Sequence, residues 1–315
     1  MRRTTLGPQG PHVGRIGLGT MGMSCAYDPA HRDDDTSVRV INDALDLGVT
    51  LIDTADVYGP FTNEEVVGRA LAGRRSEAVL ATKGGVRLVG GEVSLNGRPS
   101  YLRATLDASL RRLQTDHVDV YFLHRVDPAV PIEESWGAMA ELVQAGKARR
   151  IGISEMTLDQ LVRAHRAHPV AAVQSELSLF TRDFLADVVP FCQEQGIAFL
   201  CHSPIGSGLL SGRFRTPDDV GAGDERSTMP RFAAGALPAN NRLVDAVRGV
   251  GARHGATAAQ VALAWLLARG PYIIPIPGTK TPRFLAENAA AADLELTAED
   301  IAELDALPAP VGARE

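Results

Sequence analysis

Residues 49–59 read VTLIDTADVYG. The apolar run TLID ends on Asp53, and Tyr58 follows in the loop ADVYG. Two more runs repeat the pattern. AVLATK, residues 78–83, ends on Lys83, and VDVYFLH, residues 118–124, ends on His124. Each run reads as a short buried strand. Polar side chains at or just past the C-terminal ends of successive strands are what a β/α barrel produces, because its sites are built from its βα loops.

Outward from this stretch, strand-like and helix-like segments alternate along the chain. RIGLGT precedes a helix from about Asp35 to Leu47, and VTLID one from Asn63 to Leu71. AVLAT precedes Ser100–Leu113, where Leu102, Leu106, Leu110 and Leu113 fall at helical spacing. DVYFLH precedes Ile132–Gln144, ARRIGIS precedes Leu158–His165, and AAVQS precedes Asp183–Gln195. IAFLCH opens a long irregular stretch, and YIIPIP precedes Pro282–Ala291. These are eight βα units counted from Arg15, an alternation that implies a parallel sheet. Eight such units close as a (β/α)8 TIM barrel, an α/β fold with 1–315 forming one domain.

Three segments lie outside the repeat. LGPQGPHV predicts an N-terminal hairpin. Residues 213–238 form a long loop rich in Gly, Pro and charge, placed by the repeat at the catalytic face and read as a cover over a ligand on the cofactor side. Helices near Asn240–His254 and Thr257–Ala268 follow it. Residues 297–307 form a C-terminal helix, with Thr297 as N-cap and Asp300 at capping-box spacing.

Composition narrows the function classes. Of 315 residues, 45% are hydrophobic, enough for a large core, and the net charge is −6. No basic stripe points to nucleic acid. Cys25, Cys192 and Cys201 show no metal-ligand spacing and read as reduced thiols; no metal site is expected. There is no secretory h-region and no run of about eighteen apolar residues, so a soluble, cytoplasmic protein is expected. Gly17, Gly19 and Gly22 match G-x-G-x-x-G, but loop rather than helix follows them. The next strand ends only at Asp53, too far on for a dinucleotide fingerprint. They read as a tight turn after the first strand, with room for close backbone approach.

The four polar residues make chemical sense together. Tyrosine, with an ordinary pKa near 10, is a poor donor at neutral pH. A Lys83 ammonium beside Tyr58 would lower that value, and Asp53 would keep Lys83 charged. His124 would donate a second hydrogen bond to the same substrate oxygen. Such a set protonates a carbonyl oxygen but supplies no hydride, so a nicotinamide cofactor is implied.

Here the chain resembles the aldo-keto reductases, from about Val13 to Leu307. The resemblance is carried by GVTLIDTADVYGPFTNEEVVGRAL, SLRRLQTDHVDVYFLHR, IGISE, HSPIGSGLLSGRF and IPIPGTKTPRFLAEN. It is strongest to the branch with LHR-x-D after strand four and G-[IL]-S-E after strand five. The resemblance implies reduction of aldehydes or ketones with NADPH, rather than NADH, bound across the C-terminal face. Tyr58 is then the acid, Lys83 and Asp53 tune it, and His124 orients the carbonyl.

The resemblance also implies cofactor contacts. Ser154 and Gln174 match positions that bind the nicotinamide carboxamide. Glu155 stands where many relatives have Asn, and His202 where many have a Tyr that stacks on the nicotinamide. Ser203, Pro204, Ile205, Gly206, Ser207, Leu209 and Gly212 look like the pyrophosphate loop, and read otherwise as a flexible Gly/Ser loop. In Gly278, Thr279, Lys280 and Arg283, with Thr281 as N-cap and Pro282 at N1, a helix start beside two cations suits the 2′-phosphate. Arg283 is one place off the family's position, so Lys280 carries this expectation; both also read as surface charge. Glu287 and Asn288 match adenine-contacting positions.

The sequence leaves the carbonyl substrate and the oligomeric state open. Met23, Tyr27, Val57, Arg125 and the loop GGVRLVGGEVSLNGRPS are candidate walls of the substrate pocket. Arg87 or Arg125 would favour an acidic or polyoxygenated substrate, or is simply solvated. Trp136 reads as core. Two other classes remain: a nucleotide-binding regulatory subunit with little turnover, and a phosphate-binding barrel isomerase.

Overall fold

The eight apolar runs become the eight strands of one parallel sheet. The computed structural model describes residues 1–7, 9–90 and 92–314. A hairpin of β1 (Arg3–Thr5) and β2 (His12–Gly14) comes first. The sheet then runs β3 (Leu18–Gly19), β4 (Leu51–Asp53), β5 (Val79–Gly84), β8 (Val118–Leu123), β9 (Ala148–Ser154), β10 (Ala172–Glu176), β11 (Ala198–His202) and β12 (Ile273–Pro275). Gly17 N donates to Pro275 O at 2.9 Å, and Gly19 bridges Gly278, which brings the last strand back to the first. The result is the expected (β/α)8 barrel in a single domain.

The seam explains two glycines. A Cβ on Gly19 would lie 2.9 Å from the Ile276 carbonyl oxygen, and one on Gly17 would lie 2.9 Å from the Ile276 side chain. Only bare backbone fits there. The G-x-G-x-x-G match therefore serves strand closure, and a 3₁₀ turn, Met21–Met23, follows it.

Strand parity builds the core. Val79 and Ala81, Val120 and Phe122, Ala198 and Leu200, with Leu51, Ala172, Ile274 and Ile276, point into the barrel. Leu80, Tyr121, Leu123, Phe199 and Cys201 face the surrounding helices instead. This is the two-residue alternation of a strand. Leu6 and Val13 of the hairpin join the inner cluster and plug the barrel floor.

The helices are α1 (Asp34–Asp46), α2 (Thr62–Leu71), α3 (Pro99–Leu113), α4 (Ile132–Gln144), α5 (Leu158–Ala167), α6 (Val188–Gln195), α7 (Leu237–Arg253), α8 (Ala258–Leu267), α9 (Pro282–Ala290) and α10 (Ala298–Asp305). Thr297 and Asp300 form the reciprocal capping box of α10. Trp136 is fully buried, its indole donating to the His168 carbonyl at 2.8 Å.

Four expectations need correction. The segment after Lys83 is a hairpin, β6 (Val86–Val89) and β7 (Glu92–Leu95), rather than a loop; Gly91, within it, lies outside the described residues. The helix expected from Asp183 is a 3₁₀ turn, Asp183–Leu185, followed by α6, whose N-cap Asp187 accepts from Val188 N. The segment 213–238 carries short 3₁₀ turns at Pro217–Asp219, Glu225–Thr228 and Pro230–Phe232, and α7 begins inside it. Thr281 stands at the N-cap of α9, but its side chain makes no capping bond.

Candidate active site

The inward columns of the barrel end in polar groups at the C-terminal mouth. Parity carries Leu51 to Asp53, Ala81 to Lys83, Phe122 to His124, Ala172 to Gln174 and Leu200 to His202. Gly152 leads likewise to Ser154, and its missing side chain makes room for Phe122, whose ring edge stands 2.3 Å from where a Cβ would be. One register rule therefore gathers residues from six strands.

Lys83 is the hub. Its Nζ donates to Asp53 Oδ2 at 2.5 Å, to the Thr54 carbonyl at 2.9 Å and to the Tyr58 hydroxyl at 3.2 Å. All three donors of the ammonium are used, with the side chain 1% exposed. Burial works against its charge, but Asp53 and Tyr58 outweigh that and raise its pKa. Asp53 takes a second bond on Oδ1 from the Gln174 amide, at 2.8 Å. The Tyr58 and His124 rings stand edge to face, centroids 5.9 Å apart.

Two protonation states follow. Burial raises the pKa of Tyr58 despite the Lys83 charge beside it, so the phenol keeps its proton. The expected net lowering by Lys83 is not found, because desolvation of the phenolate is the larger effect. His124 is held well below 6.5 by burial, then by the charges of Lys83, Arg125 and His202. It is a neutral imidazole. Its Nδ1 is buried and has no hydrogen-bond partner, and the same is true of Ser154 Oγ. Unmet buried polar atoms on one site wall fit a polar ligand group.

Glu155 and His202, the two departures from the commoner family pattern, meet each other. His202 Nε2 lies 2.8 Å from Glu155 Oε1. The carboxylate also accepts from Glu176 N and from Arg314. Both of its oxygens are therefore occupied by partners within the chain. Nothing in the sequence pattern linked Glu155 to Arg314.

The loop after β11 winds tightly. Ser203, Gly206, Ser207, Gly208 and Gly212 all have positive φ, two of them non-glycine. Leu209 is buried, as are Pro204 and Gly206, and Ile205 O accepts from both Gly208 N and Leu210 N. Three successive positive φ values, at Gly206, Ser207 and Gly208, fold the loop back on itself, and Gly206 N and Gly212 N donate to Ser203 O and Leu209 O within it. Arg226 N–H donors reach Ser207 O at 3.4 Å, and the Arg226 guanidinium lies over the rings of Tyr27 and Phe214. Asp224 accepts from Asp28 N at 2.7 Å, and Glu225 N donates to Ala26 O. Segment 213–238 is thus tied across the mouth to the first βα loop.

Lys280 points into that tie. Its Nζ donates to Asp28 O at 2.6 Å and Tyr27 O at 3.2 Å. Arg283 is exposed at the start of α9. Arg213, which sequence reasoning left without a role, lies 4.9 Å over the Phe284 ring, with Arg283 at 6.0 Å from the same ring. Gly278 and Thr279 lead into this corner, with Thr279 Oγ1 accepting from Thr281 N. Glu287 already accepts from Thr257 Oγ1 at 2.7 Å, and Asn288 is buried.

Among the candidate pocket walls, Met23 is core rather than lining. Arg125 donates to the His124 carbonyl. Val57, Arg87, Leu88 and Tyr101 line a cavity of about 170 Å³ with Pro60, Phe61 and Val86. The three cysteines are free thiols. Among the described residues, no group of three or more His, Cys, Asp or Glu could hold a metal, and no helix is long and apolar enough to cross a membrane.

The model of the Aldo/keto reductase family matches residues 15–309. This chain belongs to that family. It is 40% identical over 306 residues to a probable aldo-keto reductase 1 of Glycine max, covering 96% of this chain and 88% of that one. The glycerol dehydrogenase of Gluconobacter oxydans superposes with a TM-score of 0.87 at 31% identity, covering 96% of this chain and 94% of the other. An aldo/keto reductase from Klebsiella pneumoniae, solved with NADP and acetate, gives a TM-score of 0.74 at 28% identity, covering 97% and 95%. The chain is accordingly an oxidoreductase of the aldo-keto reductase type, and carbonyl reduction is the chemistry the family implies.

Proposed function

We propose that this aldo-keto reductase reduces an aldehyde or ketone to the alcohol with NADPH, using Tyr58 as the proton donor. The observation that carries the reading is the buried hub at Lys83, joined to Asp53 on one side and to the Tyr58 hydroxyl on the other. The Klebsiella relative solved with NADP supports the choice of cofactor.

The bound dihydronicotinamide supplies the hydride. Ser154 Oγ, buried and without a partner, and Gln174 would hold its carboxamide and so orient the ring toward the substrate. The tight loop after β11 would lie along the pyrophosphate. Lys280, Arg283 and Arg213 give the corner at the start of α9 the positive charge that a 2′-phosphate needs. His124, being neutral, donates one hydrogen bond to the carbonyl oxygen. As charge develops on that oxygen, the Tyr58 proton moves to it, and the Lys83 ammonium stabilises the phenolate left behind.

The test is a panel of aliphatic, aromatic, acidic and polyhydroxylated carbonyls, followed at 340 nm with NADPH and NADH in parallel. Turnover with NADPH exceeding that with NADH is expected for at least one class. Tight NADPH binding with no turnover anywhere in the panel would favour a nucleotide-binding subunit instead.

A further inference from the structure

We propose that Arg314 is a positioning residue for the nicotinamide side of the site, acting through Glu155 on His202. The inference rests on the reading above, that this site binds a nicotinamide dinucleotide.

Glu155 follows the last residue of β9 and takes a left-handed backbone, φ +49°, without being glycine. Strained backbone of this kind persists only where its surroundings hold it. Here Glu155 N donates to Gln174 O at 3.1 Å and to Ser175 Oγ at 3.3 Å. The turn aims its carboxylate across the mouth at His202, on β11. His202 pairs in register with Glu176 on β10.

Two buried carboxylates, Glu155 and Glu176, therefore lie close together, the first accepting from the backbone N–H of the second, with 7% and 8% of their side chains exposed. Buried carboxylates require cationic partners. Arg231 supplies one, 3.2 Å from Glu176 Oε1. Arg314 supplies the other, with Nη2 at 2.5 Å from Glu155 Oε2 and Nη1 at 3.2 Å from Oε1. His202 completes the set from the opposite side.

Arg314 reaches this place by a route that apolar burial does not explain. Residues 308–313 cross the surface largely exposed, Val311 included. Polar anchors direct them. Fully buried Asn240 of α7 clamps Val311 through both backbone groups, accepting from its N–H at 2.8 Å and donating to its carbonyl at 3.0 Å. Gly312, at φ +90°, lies so close to Pro230 that a Cβ would stand 2.7 Å from the Pro230 carbonyl carbon. Arg231 donates to Gly312 O. The segment is thus steered onto Glu155, and the chain Arg314, Glu155, His202 sets the imidazole that borders the nicotinamide pocket.

The test is equilibrium titration of the full chain with NADPH and, separately, with adenosine 2′,5′-bisphosphate, which has the phosphate end but no nicotinamide. Arg314→Ala should weaken NADPH by about tenfold while leaving the bisphosphate unchanged. Arg314→Lys should restore most of the loss. Arg314→Ala placed on Glu155→Gln should add little, because both act on one link. Wild-type binding of NADPH with no loss in Arg314→Ala overturns the assignment. So does an equal loss for both ligands, which marks general damage. Failure of the wild type to bind NADPH removes the functional reading itself.

Discussion

Gln174 and Lys83 hold opposite oxygens of one carboxylate, that of Asp53, at 2.8 Å and 2.5 Å. The carboxylate is nearly inaccessible to water, so the two partners replace its hydration. Removing the cation leaves a buried negative charge with one neutral donor. Lys83→Met should therefore cost roughly 3–5 kcal/mol of folding stability, as well as activity. Urea unfolding measures it. A loss below 1 kcal/mol would show that water enters the site freely.

Tyr58→Phe deletes the hydroxyl that carries the transferred proton, and with it one of the three acceptors of the Lys83 ammonium. A general acid contributes roughly 10²–10⁴-fold, so steady-state turnover should fall by about a thousandfold while NADPH affinity stays within a factor of three. Retained turnover would assign the proton to another group.

His124 should not titrate between pH 6 and 8, since burial, and then the nearby charges of Lys83 and Arg125, hold its pKa well below 6.5. Its imidazole resonances, identified by comparison with His124→Gln, should stay fixed over that range. The linkage sign follows. The unfolded chain takes up this proton near pH 6.5 and the folded chain does not, so stability from this group is full above that pH and is lost as pH falls below it.

Asp56, two residues before Tyr58, behaves in the opposite sense. Burial, and then the Glu64 carboxylate, push it up to about 7 from 3.8, and its Oδ1 has no hydrogen-bond partner. Below pH 4 the group is protonated folded or unfolded, and nothing is lost. Between pH 4 and 7 the unfolded chain releases the proton first, so stability falls, by roughly 4 kcal/mol in all. Asp56→Asn should then be worth more at pH 8 than at pH 4. Parallel stability curves for the two proteins would discount the shift.

Gly19→Ala tests the barrel seam. The added methyl meets a backbone carbonyl oxygen at 2.9 Å, so a strand must move. A cost of about 1–3 kcal/mol is expected from thermal or urea unfolding. A neutral substitution would mean that the first and last strands separate easily.

The barrel and the hub were legible because both follow from strand parity. Apolar runs named the strands, and Asp53, Lys83 and His124 closed the inward columns. Ser154, Gln174 and His202 were named by the family resemblance, and strand parity explains why they share one wall. What the sequence hid was the balance of competing effects and the long-range partners. Whether burial or Lys83 governs Tyr58 depends on how much water reaches the phenol. Lys280 read as a phosphate ligand or as surface charge, yet carbonyls at 27 and 28 hold it, more than 250 residues away in the chain. The Glu155 carboxylate and Arg314 meet across 159 positions with no shared motif. The hairpin after Lys83 was missed because its strands are mostly exposed, so no buried apolar run marks them.

Leu6 and Val13 pack with the inward-facing strand residues and seal the barrel at the end away from the polar mouth. The proposed substrate and cofactor then come and go on the side where the βα loops lie. The opposite end is then the safe handle: a surface or tag attached there leaves the doorway facing solution, and immobilised protein should exchange its ligands as freely as protein in solution.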